Sequence, residues 1–284
     1  MILVTGANST VGSEVTRQLA AKGHLVRAMV RKIENAAKLP RDRVDVVVGD
    51  FSNSKSLDSA MEGVDAVFMA SFEHPDQIAL QGNFIAAAKR AGIRLVARLS
   101  AAGADRNSDI LIMSNHGKGD RQLAQSGLGY VLVQPDWFDQ EFLVDCPRGV
   151  IRRPAGDARR PFVDVRDIAA VTVKTLTEVG YEGQACVLTG PDALNHREVA
   201  ALLSEATDKR FVYEEVPLEA YREDLLQGGA SEYYADLITD LFASVRSAGV
   251  GEIHNDIQRV LGRPAITFRQ FAHDFSDELA RQIT

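Results

Sequence analysis

The N-terminus predicts a β-strand, a glycine turn and an α-helix in immediate succession. The apolar run Ile2–Val4 is followed by Gly6 and Gly12, and residues 13–22 carry apolar side chains at helical spacing. Gly6 permits a turn that a Cβ would obstruct, and Gly12 lets the helix pack close to the strand. Such a turn presents free N–H groups and the positive end of the helix dipole to a pyrophosphate. The opening of the chain therefore predicts a dinucleotide site.

The glycine motif departs from the usual dinucleotide fingerprint at its middle position. Ser9 stands where the second glycine is expected, so the motif reads Gly-x-x-Ser-x-x-Gly. Serine adds little bulk and its hydroxyl can donate to a phosphate, so we expect the site to be retained. The residues expected to bind the cofactor here are Gly6, Asn8, Ser9, Thr10, Val11 and Gly12.

Composition excludes several classes of partner. The chain has 284 residues, 45% of them hydrophobic, and a net charge of −7, which disfavours nucleic acid and anionic membranes. Two cysteines cannot form a disulfide framework, no apolar stretch reaches membrane-spanning length, and a core strand at residue 2 leaves no room for a signal peptide. We expect a cytoplasmic monomer or homodimer that binds a small molecule.

Short apolar runs alternate with helical patterns through the first two thirds of the chain. Further strands are predicted at 24–30, 44–49, 66–70, 95–100 and 129–133, and further helices at 54–61, 78–91 and 118–125. Continuous apolar strands separated by helices are typical of a parallel sheet covered on both faces. We therefore expect an α/β fold with a Rossmann-type, doubly wound sheet, and ligands beyond the carboxyl ends of its strands.

The remainder of the chain is less regular. Residues 147–161 are rich in Arg, Gly and Pro and predict a loop or short hairpin, whereas the residues after 216 are mostly helical. Patterns between them predict helices at 165–177 and 196–207 and a strand at 185–188. We expect residues 1–150 to form the Rossmann dinucleotide-binding core. In residues 151–284 we expect about 160–207 to complete the sheet and about 208–284 to form a smaller, mostly helical substrate cap.

Several short stretches follow one another in a characteristic order along nearly the whole chain. They are residues 5–7 and 11–12 (TGA and VG), 49–50 (GD), 115–118 (NHGK), 135–138 (PDWF), 162–169 (FVDVRDIA), 188–191 (LTGP) and 261–264 (LGRP). In this order they resemble the NmrA-like family of atypical short-chain dehydrogenases/reductases. That family includes NAD(P)H-dependent quinone and dye reductases, isoflavone-type reductases, aromatic polyketide tailoring enzymes and non-catalytic cofactor sensors. The resemblance implies the fold but leaves the reaction open, because function depends on the site.

The end of the second strand bears on the choice of cofactor. An NAD site usually has an acidic residue there, but this chain has Arg31 and Lys32, and its first acid is Glu34. Arg31 could pair with a 2′-phosphate, with Lys32 as a second charge, although a solvated basic pair is the alternative. We expect NADP(H) in preference to NAD(H), which stays open. We expect no flavin and, because the six histidines are scattered, no metal.

The usual proton donor of short-chain dehydrogenases is missing. Those enzymes use Tyr-x-x-x-Lys, whereas here Ser114 stands four positions before Lys118. The resemblance implies that Lys118 binds the cofactor ribose and places positive charge near the reacting oxygen, and His116 is a candidate donor or orienting group. A reduced quinone oxygen is far less basic than an alkoxide, so hydride delivery beside a positive charge would suffice. The missing tyrosine therefore favours a quinone or extended conjugated substrate.

Further residues are candidates by their position after strands and by family similarity. Cofactor contacts are expected from Asp50, Phe51, Ala70, Ser71 and Pro135, and substrate contacts from Phe72, His116, Asp136, Trp137 and Phe138. Core packing is the alternative for the aromatic side chains.

Three functions are therefore considered. The first is an NAD(P)H-dependent oxidoreductase that reduces a quinone or polycyclic aromatic. Reaction of the reduced substrate with O2 would make it a net monooxygenase, as in aromatic polyketide tailoring for antibiotic biosynthesis. The alternatives are a non-catalytic NADP(H)-sensing regulator of the NmrA type and an isoflavone-type alkene reductase.

Overall fold

The structure is a computed structural model that describes residues 1–283. Its strands are β1 (Ile2–Val4), β2 (Val26–Val30), β3 (Val44–Val48), β4 (Ala66–Met69), β5 (Leu95–Leu99), β6 (Gly129–Pro135), β7 (Val150–Arg153), β8 (Gln184–Leu188) and β9 (Val212–Glu215). Seven of them form one sheet in the order β3-β2-β1-β4-β5-β6-β8, and the neighbours from β3 to β6 pair in parallel. The chain order reverses between β1 and β4, which confirms the predicted Rossmann-type fold.

Helices connect these strands and make up most of the C-terminal part of the described chain. They are α1 (Thr10–Ala21), α2 (Ser54–Ala60), α3 (Gln77–Arg90), α4 (Leu111–Ala124), α5 (Val165–Thr177), α6 (His196–Thr207), α7 (Leu218–Gln227), α8 (Glu232–Ala248), α9 (Asp256–Leu261), α10 (Phe268–Asp274) and α11 (Ser276–Ala280). Of the helices in residues 1–283, none combines the length and apolar character needed to span a bilayer.

The chain forms two compact units that interleave in sequence. The first contains residues 1–108, 113–135 and 165–187, and the second contains residues 109–112, 136–164 and the described residues from 188 onward. The first unit contains nearly the whole seven-stranded sheet, and the second contains a parallel pair of strands, β7 and β9. The chain therefore passes between the units several times. The sequence predicted one such return, by residues of about 160–207 that complete the sheet, before a cap of about 208–284.

Each unit has its own apolar core. In the first, Leu3, Phe84, Val96 and Leu123 bring β1, α3, β5 and α4 together. In the second, aromatic side chains dominate, and the Phe142 ring lies edge-on to neighbouring rings at centroid distances of 5.3 and 5.4 Å. Edge-to-face packing of this kind adds to the stabilisation from burial alone.

Helix α4 is longer than the sequence predicts. It begins at Leu111 rather than at Lys118, so the polar stretch Ser-Asn-His-Gly is helical. These residues are weak helix formers, and packing overrides their propensity. Gly117 shows this packing directly, because a Cβ there would lie 2.1 Å from the backbone nitrogen of Arg106. Lys118 therefore lies inside the helix and not at its start.

The stretch 147–161 also differs from its prediction. It contains β7, which pairs in parallel with β9, so its partner is a strand of the second unit far along the chain rather than a hairpin neighbour. The hairpin alternative is therefore wrong.

Candidate functional site

The turn between β1 and α1 has the geometry that its glycines predict. Gly6 has a φ of +57°, which favours glycine. A Cβ on Gly12 would lie 2.1 Å from the carbonyl oxygen of Gly6, so no larger residue fits unless the backbone moves. The turn is consequently held tightly against the first turn of the helix.

Ser9 begins helix α1 as its N-cap. Its Oγ accepts a hydrogen bond from the backbone N–H of Gly12 at 3.1 Å. Within residues 1–283, the N–H groups of Thr10 and Val11 have no acceptor. Two free donors at the positive end of a helix dipole form an anion site, which suits a pyrophosphate.

Thr5 holds this turn to the neighbouring strand. Its buried hydroxyl donates to the carbonyl of Ala70 at 2.8 Å and accepts from the N–H of Ala70 at 2.9 Å. Ala70 and Ser71 follow β4 directly, so the hydroxyl joins the carboxyl ends of β1 and β4. Nothing in the sequence predicts this role for Thr5, because a threonine after a strand carries no signal of such a bond.

Arg31 and Lys32 are exposed at the end of β2. The Arg31 guanidinium lies over the ring of Phe72, 4.7 Å from its centroid. Phe72, which the sequence assigned to the substrate, is thus placed beside the residue assigned to the cofactor. Both charges are accessible to an anion at this edge of the sheet.

Asp50 and Phe51 follow β3 and have different surroundings. The hydroxyl and backbone N–H of Ser52 hydrogen bond to the Asp50 carboxylate and hold its pKa below the usual range. The Phe51 ring packs against Phe84, with centroids 4.7 Å apart. Phe51 therefore contributes to the core of the first unit, and Asp50 presents a charged carboxylate at the sheet edge.

Lys118 is exposed, and within residues 1–283 its ammonium forms no hydrogen bond or ion pair. Ser114, one helical turn earlier, is buried and donates to the carbonyl of Arg106. The face of α4 that carries Lys118 thus has a serine where a typical short-chain dehydrogenase has its tyrosine. An exposed ammonium is available to a ligand and to solvent alike.

His116 points to a different side of α4. Residues two apart on a helix are separated by about 200°, so His116 and Lys118 do not share a face. The His116 Nε2 lies 3.4 Å from Oε1 of Glu73, and both side chains are largely buried. The structure therefore pairs His116 with a carboxylate that no motif marks in the sequence.

A buried polar network lies on the same side of α4. Arg98, in the middle of β5, forms an ion pair with Asp120 and donates to Oε1 of Gln81 at 3.2 Å. Ser100 and Gln134 donate to the same carboxylate at 2.8 and 3.0 Å. Arg98 within the apolar run LVARLS was the available sequence signal, because a fully buried arginine requires partners.

Pro135 ends β6 and belongs to the first unit, whereas the residues that follow, 136–164, belong to the second. Asp136 is buried and forms an ion pair with Arg160. Trp137 packs edge-on against Phe242, with centroids 4.7 Å apart. Phe138 forms a bridge to Val163. Asp136 and Trp137 thus have structural roles, and their contact with a substrate stays a prediction, as does that of Phe138.

No group of three or more metal-ligating side chains occurs in residues 1–283. The sequence profile of the NAD(P)H-binding family matches residues 6–179, which include the glycine turn, Lys118 and most of the seven-stranded sheet. The chain belongs to this NAD(P)H-binding family. The resemblance to NmrA-like proteins is confirmed.

Relatives and solved structures match nearly the full length. An NAD(P)H azoreductase of Xenophilus azovorans is 35% identical over 276 residues, which are 96% of each chain. A (4-alkanoyl-5-oxo-2,5-dihydrofuran-3-yl)methyl phosphate reductase of Streptomyces griseus is 32% identical over 99% of each chain. The structure of an NADPH-dependent quinone oxidoreductase of Escherichia coli with NADPH superposes with a TM-score of 0.83, at 26% identity over 97% of this chain and 99% of that one.

Proposed function

We propose that this NAD(P)H-dependent oxidoreductase transfers hydride to a quinone, an azo compound or another conjugated aromatic acceptor. The observation that carries the proposal is that two features lie at one edge of the sheet. One is the anion-binding glycine turn, and the other is a helix in which Ser114, and not a phenol, lies one turn before Lys118. The relatives named azoreductase and quinone oxidoreductase support this acceptor class.

Acceptor basicity is the chemical reason. Bound NAD(P)H would supply the hydride, and the protein must then stabilise the electrons that reach the acceptor. An alkoxide needs a strong acid beside it, whereas the phenolate-like oxygen of a reduced quinone is much less basic and needs less help. Lys118 supplies positive charge without a phenolic donor, which suits an acceptor that becomes a phenolate-like oxygen on reduction.

The test is NADPH oxidation followed at 340 nm without oxygen. We expect turnover with quinones and azo compounds and little with simple ketones. Efficient reduction of ketones alongside inert quinones would contradict the proposal, and cofactor binding without oxidation of any acceptor would favour a regulator. Repeating the assay in air tests hydroxylation, because a monooxygenase would consume O2 and yield a hydroxylated product only when NADPH and the acceptor are both present.

We also propose a preference for NADP(H). Arg31 and Lys32 are exposed at the end of β2, where a 2′-phosphate would lie, and the Arg31 guanidinium is already oriented by Phe72. Arg31→Ala should raise the Kd for NADPH about tenfold and leave the Kd for NADH nearly unchanged. Fluorescence titration measures both, and Arg41→Ala is the control because Arg41 is likewise exposed but lies before β3. Tighter binding of NADH by the wild type would contradict this preference.

An alkene reductase is the second candidate. The Streptomyces griseus relative acts on an unsaturated lactone by its name, and its match covers 99% of each chain. Including an α,β-unsaturated lactone in the acceptor panel separates the two functions, since its reduction in preference to quinones would favour the second.

A further inference from the structure

The pairing of His116 with Glu73 lies at the edge of the sheet where ligands bind in folds of this type. Glu73 lies in the segment between β4 and α3, and His116 lies in the second turn of α4, which follows β5. β4 and β5 are neighbours in the sheet. The pair is therefore found beyond the carboxyl ends of two adjacent strands.

Three polar atoms of this cluster are buried and have no hydrogen-bond partner in residues 1–283. They are Nδ1 of His116, Oε2 of Glu73 and Oε1 of Gln77. Buried polar atoms in native proteins are nearly always bonded, and exceptions concentrate at catalytic groups or at sites of a water or ligand. Gln77 also approaches Glu73 Oε1 at 3.4 Å, so the three side chains form one group.

The surroundings hold the histidine in one orientation. Asp120, four residues after His116, lies on the same helix face and pairs with the buried Arg98. A Cβ on Gly119 would lie 2.3 Å from Arg98 Nη2, so this face is pressed against β5. With the helix fixed, Nε2 is turned to the Glu73 carboxylate and Nδ1 is left as the nitrogen without a partner.

We propose that His116 delivers, from Nδ1, the proton that two-electron reduction of a quinone or azo acceptor consumes, and that Glu73 is the residue that positions it. This inference rests on the proposed function. The Glu73 carboxylate accepts a hydrogen bond from the Nε2–H group, which orients the ring and leaves Nδ1 as the nitrogen that carries the transferable proton.

The step balances in atoms and charge. The acceptor gains a hydride, with its two electrons, and becomes an oxyanion or an anionic nitrogen. The bond between Nδ1 and its proton breaks and an O–H or N–H bond forms on the acceptor, which leaves His116 neutral, with its remaining proton on Nε2 and directed at the Glu73 carboxylate. Water returns a proton to His116 before the next turnover.

The kinetic test uses acceptors that differ in their need for a proton. A para-quinone takes up hydride and a proton, whereas a triarylmethane cation takes up hydride alone. Glu73→Gln should lower kcat with the quinone about tenfold, Glu73→Ala more, and His116→Gln about a hundredfold, with KM little changed. The ratio of quinone to dye turnover should fall in all three. Asp76→Asn, which removes an exposed carboxylate nearby, is the control and should leave the ratio unchanged.

A spectroscopic measurement reports on the pair without catalysis. Long-range 15N–1H spectra of the free protein should show the neutral His116 ring protonated on Nε2 in the wild type. Glu73→Gln retains an acceptor oxygen and should keep this tautomer, whereas Glu73→Ala should lose it. The same Nε2 tautomer in Glu73→Ala would overturn the positioning role.

The outcomes separate this inference from the function on which it rests. If the wild type oxidises no NADPH with any acceptor, the proposed function fails and the proton step fails with it. If the wild type turns over quinone and the variants match it, the proton step alone is overturned. If the dye is not reduced at all, the solvent deuterium isotope effect on quinone turnover decides, and an effect equal in His116→Gln and wild type would overturn the step.

Discussion

Gly12 occupies a position where the chain leaves no room for a side chain. A Cβ there would lie 2.1 Å from the carbonyl oxygen of Gly6, in the turn assigned to the pyrophosphate. Gly12→Ala should therefore lower the free energy of unfolding by about 1–3 kcal/mol and weaken NADPH binding more than about tenfold, because the turn must move. Urea denaturation and fluorescence titration measure the two effects.

Gly82→Ala is the matched control for this prediction. Gly82 lies inside α3, and the nearest obstacle to its Cβ is the amide of Gln122 at 2.6 Å, the end of a flexible side chain. Alanine also favours the helix by about 1 kcal/mol, so the change should be small in either direction. Equal losses in NADPH affinity for Gly12→Ala and Gly82→Ala would show that the close approach is unimportant.

Some residues of the site can be recognised from a short stretch of sequence, and others cannot. Gly6, Ser9 and Gly12 belong to one contiguous motif with a known backbone geometry, so the sequence predicted their place in the turn between β1 and α1, while their contact with the cofactor stays a prediction. Glu73 has no motif, and its partner His116 is brought to it by the packing of α4 against β5. Spacing along the chain could not reveal that pair, because the contact depends on tertiary structure.

A buried ion pair joins helix α4 to β5 beside their apolar contacts. Arg98 has 1% of its side chain exposed, and its partner Asp120 also accepts from Ser100 and Gln134. Asp120→Asn should lower the free energy of unfolding by about 3 kcal/mol, because it leaves a buried guanidinium uncompensated. Urea denaturation of the variant measures the loss.

An exposed pair of the same chemistry serves as the comparison. Asp58 and Arg90 pair at 2.6 Å, but about half of each side chain is exposed. Asp58→Asn should cost no more than about 1 kcal/mol, since solvent screens the pair. A loss in Asp120→Asn as small as that in Asp58→Asn would mean that the buried network does not hold α4.

Strands with a clear apolar run were predicted well, whereas a strand whose partner lies far along the chain was not. Strands β1 to β6 were each located from a short apolar run. The start of α4 was missed because the stretch 114–117 (SNHG), which follows its first three residues, consists of weak helix formers that packing stabilises. The pairing of β7 with β9 was missed because a parallel pair has no hairpin turn to mark it in the sequence.

Acid stability of the whole molecule should depend on His196. Its ring is buried against Tyr213, Phe142 and Phe162. Burial, with a smaller contribution from the charge of Arg153, lowers the pKa of His196 to about 3. Between pH values of about 6.5 and about 3, His196 binds a proton in the unfolded chain but not in the folded one. The stability of the fold therefore falls as pH falls from about 6.5 towards 3.

His196→Phe should remove this dependence. Relative to the wild type, the variant should gain about 2–3 kcal/mol between pH 7 and 4.5, measured by urea denaturation at each pH. Burial also raises the pKa of Glu141 to about 7, so this group makes the fold more stable as pH falls. Because both proteins contain Glu141, the effect of His196 is the difference between variant and wild type at each pH. His273→Gln, at an exposed histidine, is the control, and a similar gain in it would exclude the buried ring as the cause.

The alternation of the two units along the chain limits how relatives of this protein can be recombined. Residues 165–187 return to the first unit after 136–164 have contributed to the second. A chimera joined once at mid-chain would therefore give the sheet a helix and an edge strand from a different parent. Exchanging these parts of the second unit between relatives calls instead for three junctions, so that 136–164 is transferred together with the segment from 188 onward while α5 and most of β8 stay in place.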